Sequence, residues 1–119
     1  MSYDITFKVK VQDLDYYVNV VDNLTNITWN VRDIITKSTG LEWKNEQNNG
    51  YAKDVIPYIE KGLLKLQTNG DNYKQYESKT GYGTVEGTIS FFEKILRDWR
   101  DYIMWKPQEL IDTITFWIE

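Results

Sequence analysis

Histidine and cysteine, two of the residue types most often used in catalysis, are missing from this sequence. None of its 119 residues is a histidine or a cysteine. Their absence excludes a Ser-His-Asp triad, a thiol nucleophile, a Cys/His zinc site and a disulfide framework. We therefore expect a non-enzymatic protein that has no catalytic residues, no metal-binding residues and no cofactor.

Paired carboxylates are the remaining route to acid–base catalysis or metal binding. Asp54 with Glu60, and Glu86 with Glu93, are two such pairs. Catalysis requires that two carboxylates lie in different environments inside one cleft, and spacing alone does not provide this. Because lysines and arginines are interleaved with the acids, we interpret these pairs as solvated helix faces. An enzyme that uses carboxylates, tyrosines and lysines stays an alternative.

A glycine cluster at residues 81–87, with the sequence Gly-Tyr-Gly-Thr-Val-Glu-Gly, is the most motif-like stretch. Glycines before a helix expose backbone N–H groups that can hold an anion, and the helix dipole adds to this effect. The spacing matches neither G-x-G-x-x-G nor the Walker A pattern, so a tight turn that positions the next helix is the simpler interpretation. The candidate residues for an anion are Gly81, Gly83, Thr84, Arg97 and Arg100.

Aromatic residues make up 15% of the chain, as 5 Trp, 9 Tyr and 4 Phe. A core of this size does not accommodate them all, and Trp and Tyr are favoured at contact surfaces. We therefore expect some of them to line a binding surface. For Trp29, which lies among Asn and Thr residues, helix capping beside a core tryptophan is the alternative interpretation. The candidate binding residues are Trp29, Asn30, Trp43, Lys44, Tyr102 and Trp105.

The charge balance narrows the class of partner. With 14 Lys and Arg residues against 18 Asp and Glu residues, the formal net charge is −4. This balance argues against nucleic acid and against a membrane surface as the partner. The sequence also has neither the basic and apolar regions of a signal peptide nor an apolar run of about 20 residues. We expect a cytoplasmic protein that binds another protein, and a nucleotide-like small molecule is the alternative ligand.

Alternating apolar residues predict the strands that carry these groups. Apolar side chains at every odd position of 3–11 predict a strand with one buried face. A second alternating run follows a polar turn, so residues 3–22 predict an antiparallel hairpin. Residues 111–119 alternate again and predict a third strand, which pairs with the hairpin. The polar segment 46–50 predicts an exposed loop.

A 3.6-residue spacing of apolar side chains predicts three helices. Asn26 is the predicted N-cap of the first helix, Asp54 of the second and Thr84 of the third. Together these elements predict a single α+β domain over residues 1–119, in which a three-stranded antiparallel sheet packs against three helices. The sheet consists of the N-terminal hairpin and the C-terminal strand. Its two exposed edges predict a homodimer.

Several segments resemble those of small uncharacterised proteins carried by phages and prophages of bacteria. They are residues 26–31, 38–44, 83–88 and 115–119. The resemblance spans most of the chain, and no activity is assigned to the family. It implies a phage-encoded accessory protein that modulates or inhibits a bacterial host or defence protein. A small-ligand binder that sequesters an anionic metabolite or nucleotide, and a virion-associated structural protein, are the alternatives.

Overall fold

The computed structural model describes residues 2–21 and 25–119. Within these residues, one antiparallel sheet of five strands packs with four helices, which confirms the α+β class. The predicted numbers of strands and helices are both too low. The strands are β1 (Ser2–Lys10), β2 (Tyr17–Asn19), β3 (Thr25–Thr28), β4 (Gln47–Tyr51) and β5 (Thr115–Ile118), and the helices are α1 (Arg32–Thr39), α2 (Ala52–Asn69), α3 (Val85–Ile103) and α4 (Gln108–Ile111).

Strand β1 is the central strand of the sheet. One of its edges pairs with β3 near its start and with β2 near its end. Its other edge pairs with β5, which in turn pairs with β4. The predicted hairpin and its pairing with the C-terminal strand are therefore confirmed. The second strand of the hairpin is shorter than predicted, and its predicted end at residue 22 lies outside the described residues.

The segment expected to begin the first helix forms β3 instead. Ile27 lies opposite Tyr3 in the sheet, so its apolar side chain belongs to a strand and not to a helix. A 3₁₀ turn follows at Trp29–Val31, and the Thr28 side chain caps it by accepting a hydrogen bond from the Asn30 backbone. The predicted cap at Asn26 is therefore wrong, because pairing with β1 satisfies the backbone of this segment.

The segment expected to be an exposed loop overlaps most of β4, an edge strand made almost entirely of polar residues. An edge strand whose two faces are both exposed to solvent has no alternation of apolar and polar residues, so the sequence pattern does not predict it. A bulge interrupts its pairing with β5, and Gly50 has a φ of 108° there. The Asn48 and Asn49 side chains hydrogen-bond nearby backbone groups, which fixes the shape of this edge.

The two long helices match their apolar spacing. Helix α3 begins after Thr84, whose hydroxyl accepts a hydrogen bond from the Gly87 backbone at 3.0 Å, as predicted. Helix α2 ends before Gly70, but its N-cap is Tyr51 and not the predicted Asp54. Asp54 instead lies in the first turn, where its charge complements the helix dipole.

Buried side chains from β1, β5 and the three longer helices form one hydrophobic core. Helices α1 and α2 approach so closely that a Cβ atom on Gly62 would lie 2.5 Å from the Thr39 Cγ2 atom. Tyr3 belongs to this core and lies between two tryptophans, with ring centroids 6.0 Å from Trp29 and 5.6 Å from Trp43.

Burial raises the pKa of the Tyr3 phenol above its ordinary value of 10.0; Arg32 opposes this effect and Asp33 adds to it. The folded state then holds the phenol proton more tightly than the unfolded state does. The free energy of unfolding should therefore fall as the pH rises above about 10.

We expect Tyr3→Phe to lessen this alkaline loss of stability, measured as urea midpoints from about pH 9 to about pH 11. Tyr58→Phe, at an exposed position, should leave the loss unchanged. A Tyr3→Phe variant that lost stability as steeply as the wild type would contradict this account.

Candidate functional site

Four of the five predicted anion-binding residues divide between two surfaces that share helix α3. The first is the β3–α3 cleft, a hollow of about 490 Å³ between β3 and the first half of α3. The second is the α2–α3 groove, which consists of two adjoining hollows of about 410 and 380 Å³. The cleft contains Gly83 and Thr84, whereas Arg97 and Arg100 line the groove. The structure therefore does not bring the predicted anion-binding set together, because its arginines lie on a different face of α3 from the glycine turn.

The glycine turn packs directly against the 3₁₀ turn that follows β3. Gly83 has a φ of 89°, which favours glycine. A Cβ atom at this position would lie 2.7 Å from the Asn30 Cβ atom and 3.0 Å from its carbonyl carbon. Two segments that stood apart in the sequence therefore meet here, and the absence of a side chain on Gly83 allows their backbones to touch.

A carboxylate of the chain itself already binds the N-terminus of α3. The Val85 backbone N–H donates to the Glu77 carboxylate at 2.8 Å, and the Gly87 N–H donates to the Thr84 hydroxyl. These are two of the N–H groups that an external anion would need. Glu77 was not among the candidates from the sequence, because it lies eight residues before its partner and belongs to no local capping motif.

Lys94 is the cation of the β3–α3 cleft, and it was not predicted as a site residue. Its ammonium group lies 2.9 Å from the Asp98 carboxylate, which also accepts a hydrogen bond from the Thr25 hydroxyl at 3.1 Å. The positive charge that faces the cleft is therefore largely neutralised within the protein.

The α2–α3 groove has an apolar floor and a charged rim. Leu63, Leu96 and Trp99 contribute to the floor, and Ile103 extends it toward the end of α3. Beside the floor, Leu64 is 61% exposed. The rim carries both signs of charge, and its charged residues are Glu60, Glu93, Arg97, Arg100 and Asp101.

The aromatic candidates differ widely in exposure. Trp105, just past the end of α3, is 89% exposed, and Trp29 is 37% exposed. Trp43 is only 5% exposed, because its ring lies in the core against Phe91 and Phe116. Trp43 is therefore not a surface binding residue, which corrects the prediction.

The three remaining candidates lie at the surface or close to it. Lys44 and Asn30 are both exposed. Tyr102 is partly buried and lies under the Lys106 ammonium group, which is 5.2 Å from its ring centroid. Burial raises the pKa of the Tyr102 phenol, which moves its ionisation further above physiological pH.

Comparison with protein-family models, with curated proteins and with solved structures finds no match to this chain. Across residues 2–21 and 25–119, no three carboxylates come together as they would around a metal ion. None of the helices in the same residues is both long and apolar enough to cross a bilayer. The functional interpretation therefore depends on the two surfaces themselves.

The contact between Gly83 and Asn30 predicts a difference between two neighbouring glycines. Gly81 and Gly83 both have positive φ angles, but a Cβ atom on Gly81 would meet nothing within 4 Å. We expect Gly81→Ala to lower the free energy of unfolding by roughly 1 kcal/mol, from backbone strain alone. Gly83→Ala should cost roughly 1–3 kcal/mol more, because Asn30 has to move. Urea denaturation of both variants measures the difference, and equal losses would show that the glycine turn does not pack tightly against the 3₁₀ turn that follows β3.

Proposed function

We propose that the protein is a non-enzymatic binding protein that docks on another protein through the α2–α3 groove. The observation that carries this proposal is a set of three exposed apolar side chains beside the groove and at its end. Leu64, Met104 and Trp105 are 61%, 60% and 89% exposed. Exposed apolar side chains that border an apolar groove with a charged rim are typical of protein interaction sites.

The composition of the groove supports a protein as its partner. Interfaces combine a desolvated apolar centre with a polar rim, and Trp and Arg are enriched among the residues that dominate binding energy. The groove has such a centre in Leu96 and Ile103, with Arg97 and Arg100 on its rim. Among the described residues, neither arginine forms an ion pair within the chain. Both are therefore available to carboxylates of a partner.

The partner that we propose is a bacterial protein, which this chain modulates or inhibits. The resemblance of the sequence to small phage and prophage proteins supports this class of partner. A homodimer through the same groove, or a place in a virion, would use the same apolar surface. These alternatives differ in the mass of the purified protein, and the experiment below separates them.

Two exposed side chains on α2 provide a matched test. Leu64 borders the groove, whereas Tyr58 is also exposed on α2 but does not line it. We expect Leu64→Asp and Trp105→Ala each to weaken binding by about 2 kcal/mol or more, roughly thirtyfold, because each removes an exposed apolar side chain that the partner would cover. Tyr58→Asp, which adds the same charge to the same helix, should leave affinity unchanged.

The purified protein is first used as bait in bacterial lysate, and the affinity of the stoichiometric partner is then measured for each variant by calorimetry. Light scattering gives the mass of the protein alone. If Leu64→Asp and Trp105→Ala both bind the partner with the affinity of the wild type, the proposed surface is contradicted. A dimer that Leu64→Asp converts to a monomer would identify a second copy as the occupant. A large assembly of the protein alone would favour the virion role.

A second candidate function is the sequestration of a small anion in the β3–α3 cleft, and the observation that favours it is the Lys94 ammonium group in the cleft. Because Asp98 neutralises this group, the effects of two variants have opposite signs. Asp98→Asn should strengthen binding of phosphate or ATP, since it frees the lysine charge, and Lys94→Gln should weaken it. Calorimetric titration of both probes measures the effect. Binding that responds to neither variant would exclude the cleft as the anion site.

A further inference from the structure

A third cavity lies at the end of the sheet and contains no residue of α3. This sheet-end cleft has a volume of about 540 Å³, which is within the usual range for a small-molecule site. Its two walls carry Tyr17 from β2 and Tyr51 from β4. Neither tyrosine was singled out from the sequence, and neither belongs to the groove assigned above to protein binding.

The cleft lies at the end of the sheet where β5 begins. Thr115, the first residue of β5, lies opposite Lys8 on one side and Tyr51 on the other. Strand β1 continues past this point to Lys10, which pairs with Tyr17. Beyond Thr115 the β1–β2 hairpin therefore extends past the ends of β5 and β4, and the cleft lies beside this extension.

The Tyr17 wall is held in place by its neighbours. The Tyr17 ring meets the Trp117 ring edge to face, with centroids 5.1 Å apart. The Lys8 ammonium group lies 4.5 Å from the Trp117 ring centroid and also pairs with Glu119. The orientation of Tyr17 is thus fixed before any ligand binds, which lowers the entropic cost of binding.

The opposite wall is more open. The Tyr51 side chain is half exposed, and the Lys53 ammonium group lies 5.8 Å from its ring centroid. Between the two walls, the small side chains of Thr113 and Thr115 contribute to the lining. The lining thus combines two tyrosine rings with two threonines and several longer polar side chains.

The charged groups of the cleft balance one another. Lys10 and Asp112 are the two charged residues that line it. The Asp112 carboxylate pairs with Lys53 at 3.7 Å and accepts a hydrogen bond from the Gln108 amide at 2.7 Å. Lys10 lies 4.0 Å from the Asp15 carboxylate. A cleft with this balance gives no advantage to a phosphate or to a cation, and it favours a neutral ligand.

The polar groups of the cleft offer both donors and acceptors. The Asn48 Oδ1 atom accepts a hydrogen bond from the Gly50 backbone, so its Nδ2 group keeps two donors that this bond does not use. The Thr113 hydroxyl donates to the Leu110 carbonyl, which leaves its own lone pairs as acceptors. The Gln12 amide, also in the lining, offers a donor and an acceptor.

We propose that the sheet-end cleft binds a neutral carbohydrate. A sugar ring presents a flat face of weakly positive C–H groups, which the negative face of a tyrosine ring attracts. Its hydroxyl groups both donate and accept, so they match the amide and hydroxyl groups between the two tyrosines. The proposal does not depend on protein binding through the α2–α3 groove.

Three neutral probes test the proposal: methyl glucoside, methyl galactoside and N-acetylglucosamine. Because stacking requires only a flat C–H face, at least one of the three should bind, with a Kd on the order of 1 mM. Saturation-transfer NMR detects bound sugar, and tryptophan fluorescence reports binding beside Trp117. Titration to about 50 mM covers the expected range.

Variants of the two walls complete the test. Tyr17→Ala and Tyr51→Ala should each weaken binding about tenfold or more, and Tyr58→Ala, an exposed tyrosine of α2, should not change it. Tyr17→Ala could unfold the protein, because it removes the contact with Trp117. In that case Tyr51→Ala alone tests the proposal.

Absence of saturable binding by all three sugars would overturn the proposal. Binding that neither variant weakens, or that inorganic phosphate displaces, would also overturn it. Leu64→Asp should leave sugar binding intact, so the outcome is independent of the partner experiment.

Discussion

The pairing of β1 with β5 is the constraint on which the rest of the structure depends. Ile5 lies opposite Ile118, and Phe7 opposite Phe116, and all four side chains are buried. With β5 paired on one edge of β1, only the other edge is left for β2 and β3. The helices then cover the inner face of the sheet, which places the α2–α3 groove toward solvent. The sheet-end cleft lies where β5 begins in this same pairing.

Amphipathic elements could be predicted from the sequence because the spacing of their apolar residues along the chain reflects which face is buried. Strand β1 and helix α3 bury one face each, and alternation or 3.6-residue spacing shows this directly. Strands β3 and β4 could not be predicted in the same way, because pairing with distant residues defines them. Ile27 fits a helical pattern as well as a strand, and only Tyr3 across the sheet decides between the two.

The candidate site was predicted less completely than the fold, and for related reasons. The aromatic excess correctly indicated exposed rings, since Trp105 is almost fully exposed, but composition could not show that Trp43 belongs to the core. The glycine cluster indicated a tight turn at a helix start. Its anion, however, is the Glu77 carboxylate, and Arg97 and Arg100 face a different helix. Helical spacing places a residue on a face but does not say which neighbour that face meets.

The separation of β1 from β5 along the chain also bears on synthesis at the ribosome. A chain that emerges from its N-terminus makes β1 first, and the residues of β5 follow more than 100 positions later. During that interval the β1 edge that β5 will occupy has no partner, and the apolar face of β1 lacks the side chains that bury it. Unpaired strand edges and exposed apolar faces are the features that chaperones recognise in nascent chains. The order in which the chain is made therefore leaves its central strand exposed for longest.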